Sequence, residues 1–161
     1  MSMPTKNDEY YMSLALKEAA DALAEEEVPV GAVIVFENRV IGRAHNQRER
    51  LRDPTAHAEM IAVTQAASYL QNWRLTGCAL YVTIEPCAMC AGALVLARIE
   101  RLVYGVPDPK AGACGSVFNL VDGPRLNHRI KVSAGILAEE CGEILLKFFK
   151  GRRAEKESLS Y

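Results

Sequence analysis

Thr55-Ala56-His57-Ala58-Glu59 opens, and Glu85-Pro86-Cys87-Ala88-Met89-Cys90 closes, the stretch on which the rest of this 161-residue chain is organised. As chemistry it supplies a histidine, a glutamate beside it and two cysteines three apart. That is a set of three zinc ligands and one proton carrier. Three protein ligands leave a tetrahedral ion one position short, the mark of a catalytic rather than a structural zinc. As structure, Ala58, Ile61, Ala62, Ala66 and Tyr69 recur at helical spacing and predict a helix over 57–70. Ala79–Thr83 (ALYVT) is a strand, and Cys87–Ile99 is a second helix that opens after Pro86, where proline is tolerated. The ligands therefore fall at the starts of two helices.

Working outward, Met12, Ala15, Leu16, Ala19, Ala20 and Leu23 predict a helix over 8–26 that runs into Glu25-Glu26-Glu27, a solvated helix end. Val30–Phe36 and Arg39–Ala44 flank the turn Glu37-Asn38 and form a hairpin. Asn46–Ala56 is a polar loop with Arg48, Arg50 and Arg52. Leu102–Val106 is a fourth strand, 107–115 a loop of Pro, Gly and small residues, Lys131–Ala134 a weaker fifth strand, and Leu137–Arg153 a final helix. This alternation predicts an α/β fold, a three-layer α/β/α sandwich around a five-stranded mixed sheet. The hairpin strands are antiparallel, and strands joined through helices are parallel. A single domain spans 1–161, with its core at about 8–153 and a frayed tail at 154–161.

Half the residues are apolar, enough for a full core, and no run approaches the 18 or so apolar residues of a membrane span. The polar start Met1–Glu9 lacks a signal core, so a cytoplasmic protein with no membrane partner is expected. Five cysteines without scaffold spacing argue against a disulfide framework. Cys78, Cys114 and Cys141 read as buried thiols, and His45 and His128 as polar contacts. A net charge of −1 excludes a case for nucleic-acid binding from bulk charge alone.

Cys87 and Cys90, one turn apart at a helix start, place both sulfurs on one side, and the helix N-terminus favours the thiolate form. Residues two apart on a regular helix point about 200° from each other. His57 and Glu59 thus converge only if His57 lies at the helix edge. Glu59 would then stand beside the open metal position as a proton shuttle. A redox pair or half a structural knuckle are the competing readings of Cys-x-x-Cys. Pro86 and the upstream His-x-Glu oppose the first, and the lack of a fourth ligand at knuckle spacing opposes the second.

His57-Ala58-Glu59 followed by Pro86-Cys87-Ala88-Met89-Cys90 resembles the signature of zinc-dependent nucleoside and nucleobase deaminases. Within them the chain is similar to the tRNA-specific adenosine deaminases that make inosine at the anticodon wobble position. The similar stretches are 28–33, 53–59, 72–75, 112–116 and 126–129, with Phe148-Phe149 and Arg152-Arg153. Pro107-Asp108-Pro109 is a stiffer turn than the family pattern. The resemblance implies one zinc per subunit on His57, Cys87 and Cys90, with Glu59 as general acid/base. It implies that Asn46 bonds the adenine edge and that main-chain groups at Ala58 and Cys87-Ala88 hold the base. Val30, Asp108, Phe149 and Arg152 would complete substrate binding. The substrate would be an unpaired adenosine of a tRNA anticodon stem-loop, and the assembly a homodimer.

Independently of the resemblance, Lys147, Lys150, Arg152, Arg153 and Lys156 surround Phe148 and Phe149, cations for phosphates and aromatics for bases. A solvated helix face with one Phe turned inward explains the same pattern. Residues 88–99 are apolar nearly all round, so one face covers the sheet while the other meets a second subunit or lies inside the fold. The rival functions are a small-molecule guanine, cytosine or nucleoside deaminase, and a non-catalytic zinc-stabilised RNA-binding module.

Overall fold

The computed structural model describes residues 6–159. Its elements in chain order are α1 (Lys6–Ala24), β1 (Gly31–Phe36), β2 (Arg39–His45), α2 (Arg48–Leu51), α3 (Ala58–Leu70), β3 (Ala79–Ile84), α4 (Ala88–Leu96), β4 (Arg101–Val106), β5 (Lys131–Ala134) and α5 (Ala138–Leu159). One five-stranded sheet has the order β2-β1-β3-β4-β5. β1 pairs antiparallel with both β2 and β3, while β3–β4 and β4–β5 are parallel. The mixed sheet is as expected, with two refinements. β2 and β3, joined through α3, share a direction but are separated by β1. The parallel β4–β5 connection carries no helix among the described residues.

Alternation along the strands divides the core into two layers. Ala32, Ile34, Leu80, Val82 and Leu102 face Ala58, Ala62 and Ala66 of α3 and Ala91 and Leu94 of α4. Val33, Val35, Tyr81 and Val103 face Tyr11, Met12 and Ala15 of α1 and Cys141 of α5. Each fully buried Leu contributes about 1.5–3 kcal/mol, so this two-sided burial stabilises the three-layer sandwich. α1 sits close on β1 because Gly31 carries no side chain. A Cβ there would run into the backbone of Ala15 and Ala19. The other end of α1 is tied to two strands, β3 and β4. Asp8 receives a paired hydrogen bond from Arg101 (2.7 Å each), and Tyr81 donates to the same carboxylate at 2.8 Å.

Three expectations need correction. The acidic run after α1 is a solvated end only at Glu25 and Glu26, which are exposed. Glu27 is only 1% exposed and accepts hydrogen bonds from the main-chain N–H of Glu49 and Arg50. Those bonds satisfy the free N–H groups of α2, a four-residue helix inside the stretch expected to be loop. Local propensity could not show this, because the capping group comes from a distant part of the chain. Finally, α5 continues through 154–159, where a frayed tail was expected. Glu155, Lys156 and Glu157 are exposed and are good helix formers that prolong it. Ser160 and Tyr161 lie outside the described residues.

Glu18 and Glu25 of the α1 end grip His45 at the end of β2, at 2.8 Å to Nδ1 and 2.9 Å to Nε2. Burial disfavours the charged ring, but hydrogen bonds to Glu18 and Glu25 outweigh it and raise its pKa above 6.5. A raised pKa stabilises the fold fully below the unfolded value and loses that effect as pH rises through the folded one. His45→Asn should therefore cost about 1 kcal/mol in denaturant melts at about pH 5.5, and the difference from wild type should shrink toward about pH 9.

Candidate active site

The end of the sheet where β2 and β3 stop carries the chemistry. His57 is the N-cap of α3 and Cys87 the N-cap of α4, both with extended backbone. An N-cap side chain is free of the helical direction, so His57 reaches over the end of α3 as the sequence reading required. Glu59, in the first turn, points inward and is 3% exposed. Cys90, one turn into α4, is fully buried.

Nδ1 of His57 stands 3.6 Å from Cys87 Sγ and 3.5 Å from Cys90 Sγ. Ligand atoms of the three residues all lie within 4.8 Å of one another. Zinc bonds of about 2.3 Å to sulfur and about 2.05 Å to nitrogen, at the tetrahedral angle, require an N–S edge of about 3.6 Å. The arrangement fits zinc in donor chemistry and in size. A second grouping, Glu18, Asp21 and His45, is similarly compact. There, however, both ring nitrogens of His45 are already engaged by carboxylates.

The electrostatics agree. Hydrogen bonding from Cys90 and then from His57 lowers the Cys87 thiol to about 3. The bond to Cys87 and burial push the Cys90 thiol up. The bond to Cys87 raises the pKa of His57, and burial raises that of Glu59. The three donors thus compete for few protons, a state that a divalent cation resolves by displacing them. Glu59 remains as a carboxyl whose burial favours holding a proton.

The remaining residues divide by place. Ala58 and Ala88 are the first residues of α3 and α4, where main-chain N–H groups have no intrahelical partner. Asn46 follows β2, is 4% exposed, and donates its main-chain N–H to Val30 O at 3.1 Å. Asp108 lies on the loop after β4, half-buried, with Oδ1 accepting from the N–H groups of Lys110 and Ala111. Phe149 is 45% exposed and Phe148 half-buried. Arg152 stacks over Phe148 and donates to Glu26 O at 3.1 Å, which brings α5 to the end of α1. Cys78, Cys114 and Cys141 are buried free thiols, and His128 bonds Ile99 O, as read from the sequence. The sequence reading assigned no role to Glu85, which is 2% exposed and receives hydrogen bonds from the 107–116 loop. Its only signal was a charged residue directly before Pro-Cys.

Residues 5–106 match the family described as the cytidine and deoxycytidylate deaminase zinc-binding region. A Bacillus subtilis tRNA-specific adenosine deaminase is 49% identical over 151 residues, 94% of each chain. Among solved structures, one from a study of A-to-I editing by tRNA:A34 deaminases at the wobble position of transfer RNA superposes with a TM-score of 0.81. Its identity is 46%, covering 84% of this chain and 99% of that one. A guanine deaminase structure from Nitrosomonas europaea has a TM-score of 0.73 at 24% identity, covering 92% of this chain and 85% of that one. At that identity the likeness is one of fold.

Proposed function

Because this chain belongs to the cytidine and deoxycytidylate deaminase zinc-binding family, we infer that it deaminates adenosine to inosine at the wobble position of a tRNA anticodon loop. The observation that carries the chemistry is Glu59. It is a buried carboxyl beside a His-Cys-Cys set, yet it is not one of the three ligands. A structural zinc site has no use for such a group, which opposes the non-catalytic module. The high identity to adenosine deaminases over nearly the whole chain, against fold-level likeness to a guanine deaminase, favours adenine in RNA over a free base.

His57, Cys87 and Cys90 would hold one zinc per subunit. When bound, zinc supplies a Lewis acid that lowers the pKa of water from about 15.7 to about 7. Glu59 takes a proton from the attacking water and gives it to the purine ring nitrogen, then takes the proton of the new C6 hydroxyl and gives it to the departing amine. Water adds at C6 and ammonia leaves, which balances adenosine plus water against inosine plus ammonia. Asn46 offers its amide to the adenine edge, and the free N–H groups of Ala58 and Ala88 hold the base and the attacking oxygen. Val30 and Asp108 line the rim. Phe149 and Arg152, with the other cations of α5, take the RNA. C6 is inaccessible to the site in a paired stem, so the base must be splayed from an unpaired loop.

Two further readings accompany this. Among the described residues no helix is long and apolar enough to cross a membrane, and a tRNA substrate fits a cytoplasmic enzyme. The outer face of α4 presents Leu96, 71% exposed, in a helix without a charged residue. Such a face suits a homodimer, and light scattering should give twice the 17.7 kDa chain mass. A monomer mass would remove the dimer.

Glu59→Gln keeps the shape of the side chain and removes the proton carrier. It should retain about one zinc per chain by elemental analysis while inosine formation falls about 10³-fold or more. Cys90→Ala should lose both zinc and activity. Full activity in Glu59→Gln would contradict the mechanism.

A further inference from the structure

We propose that Glu85 is a positioning residue of the active site: its buried carboxylate clamps the loop 107–116 against the Cys87 end of the metal motif and so sets where Asp108 meets the RNA. The proposal rests on the reading of Asp108 as a substrate contact.

Glu85 directly follows β3, two residues before Cys87, and is 2% exposed. Oε1 accepts from the main-chain N–H of Asp108 at 3.0 Å and from the Ser116 hydroxyl. Oε2 accepts from the N–H of Cys114 at 3.0 Å and of Ser116 at 3.1 Å. All four donors belong to one loop. Glu85 takes part in none of the ion pairs among the described residues. A buried carboxylate without a cation is tolerable only when its acceptor positions are filled. Here a single loop fills them, so the path of that loop is set by one side chain.

Other contacts tighten the same clamp. Gly112 passes so close that a Cβ there would run into the carboxylate of Glu85. The N–H of Ala113 donates to Pro86 O at 2.9 Å, and the N–H of Glu85 to Val106 O at 2.9 Å. The loop is therefore bonded to the residue preceding Cys87 as well as to Glu85. Asp108, at the near end of the loop, is folded back by bonds from Lys110 and Ala111. A carboxylate presents acceptors only, whereas an amide of equal size turns one end into a donor. Glu85→Gln would set N–H against N–H and release part of the loop without opening a cavity.

The test uses Glu85→Gln in the zinc-loaded full chain, read by amide hydrogen exchange and by kinetics on an anticodon stem-loop. Exchange should quicken by about tenfold across 108–116 alone, and KM should rise about tenfold, while kcat changes by less than about threefold and zinc content holds. Ser116→Ala removes one donor and keeps the charge. It should give the same pattern at about threefold, and it decides the matter if Glu85→Gln is insoluble. Loop exchange like that of wild type, exchange raised evenly over the whole chain, or an unchanged KM with zinc lost would each overturn the proposal. Wild type in the same assay separates the two claims. No inosine from wild type refutes the functional reading, whereas exchange in 108–116 judges the clamp on its own.

Discussion

Two helix N-termini meet at one end of the sheet, and the rest of the structure depends on that meeting. The hairpin β1–β2 reverses the chain so that β2 and β3 run in the same direction with β1 between them. α3 after β2 and α2, and α4 after β3, pack on the same face, so α3 and α4 start side by side. Because His57 and Cys87 are N-caps rather than helical residues, their side chains turn toward each other across the gap. Glu59 and Cys90, inside the first turns, are held buried behind them. A regular helix extended by one residue at the start of α3 would turn His57 away from Glu59.

The flanks of the site are built by one repeated device. A buried carboxylate from a strand end or helix end accepts main-chain N–H groups of a neighbouring segment. Glu27 does so for α2, which leads toward His57, and Glu85 for the loop that carries Asp108. Apolar packing alone would leave these surface segments free to move, since few of their side chains are buried. Directional hydrogen bonds to a group already fixed by the core hold them instead. The proposed zinc ligands need no such help, because the helix starts that bear them are anchored by Ala58, Ala62, Ala91 and Leu94.

Most of this was legible before any coordinates. The 3.6-residue recurrence of Ala58, Ala62 and Ala66 and the short β-branched runs identified the layers, because α1, α3 and α4 each bury one face. The motif spacing pointed to His57, Cys87 and Cys90, whose donor atoms the fold brings together, and to the buried Glu59. What escaped was whatever depends on distant partners. α2 has its cap in Glu27, Glu85 has its donors in 108–116, and the acidic run after α1 has His45 and Arg50. Each pairing spans twenty residues or more, and local periodicity carries no trace of it. The end of α5 escaped for the opposite reason: its residues are exposed, so only propensity marks its length.

The central claim is that this site takes an adenine presented by an RNA loop. The most direct measurement offers wild-type protein an RNA stem-loop with an ACG anticodon, the same sequence annealed to its complement, and free adenosine, guanine and cytosine, with inosine and ammonia as readouts. The account predicts inosine at the wobble position of the open stem-loop, with the duplex and the free compounds left unchanged. Ammonia from guanine or cytosine with the stem-loop untouched would contradict it.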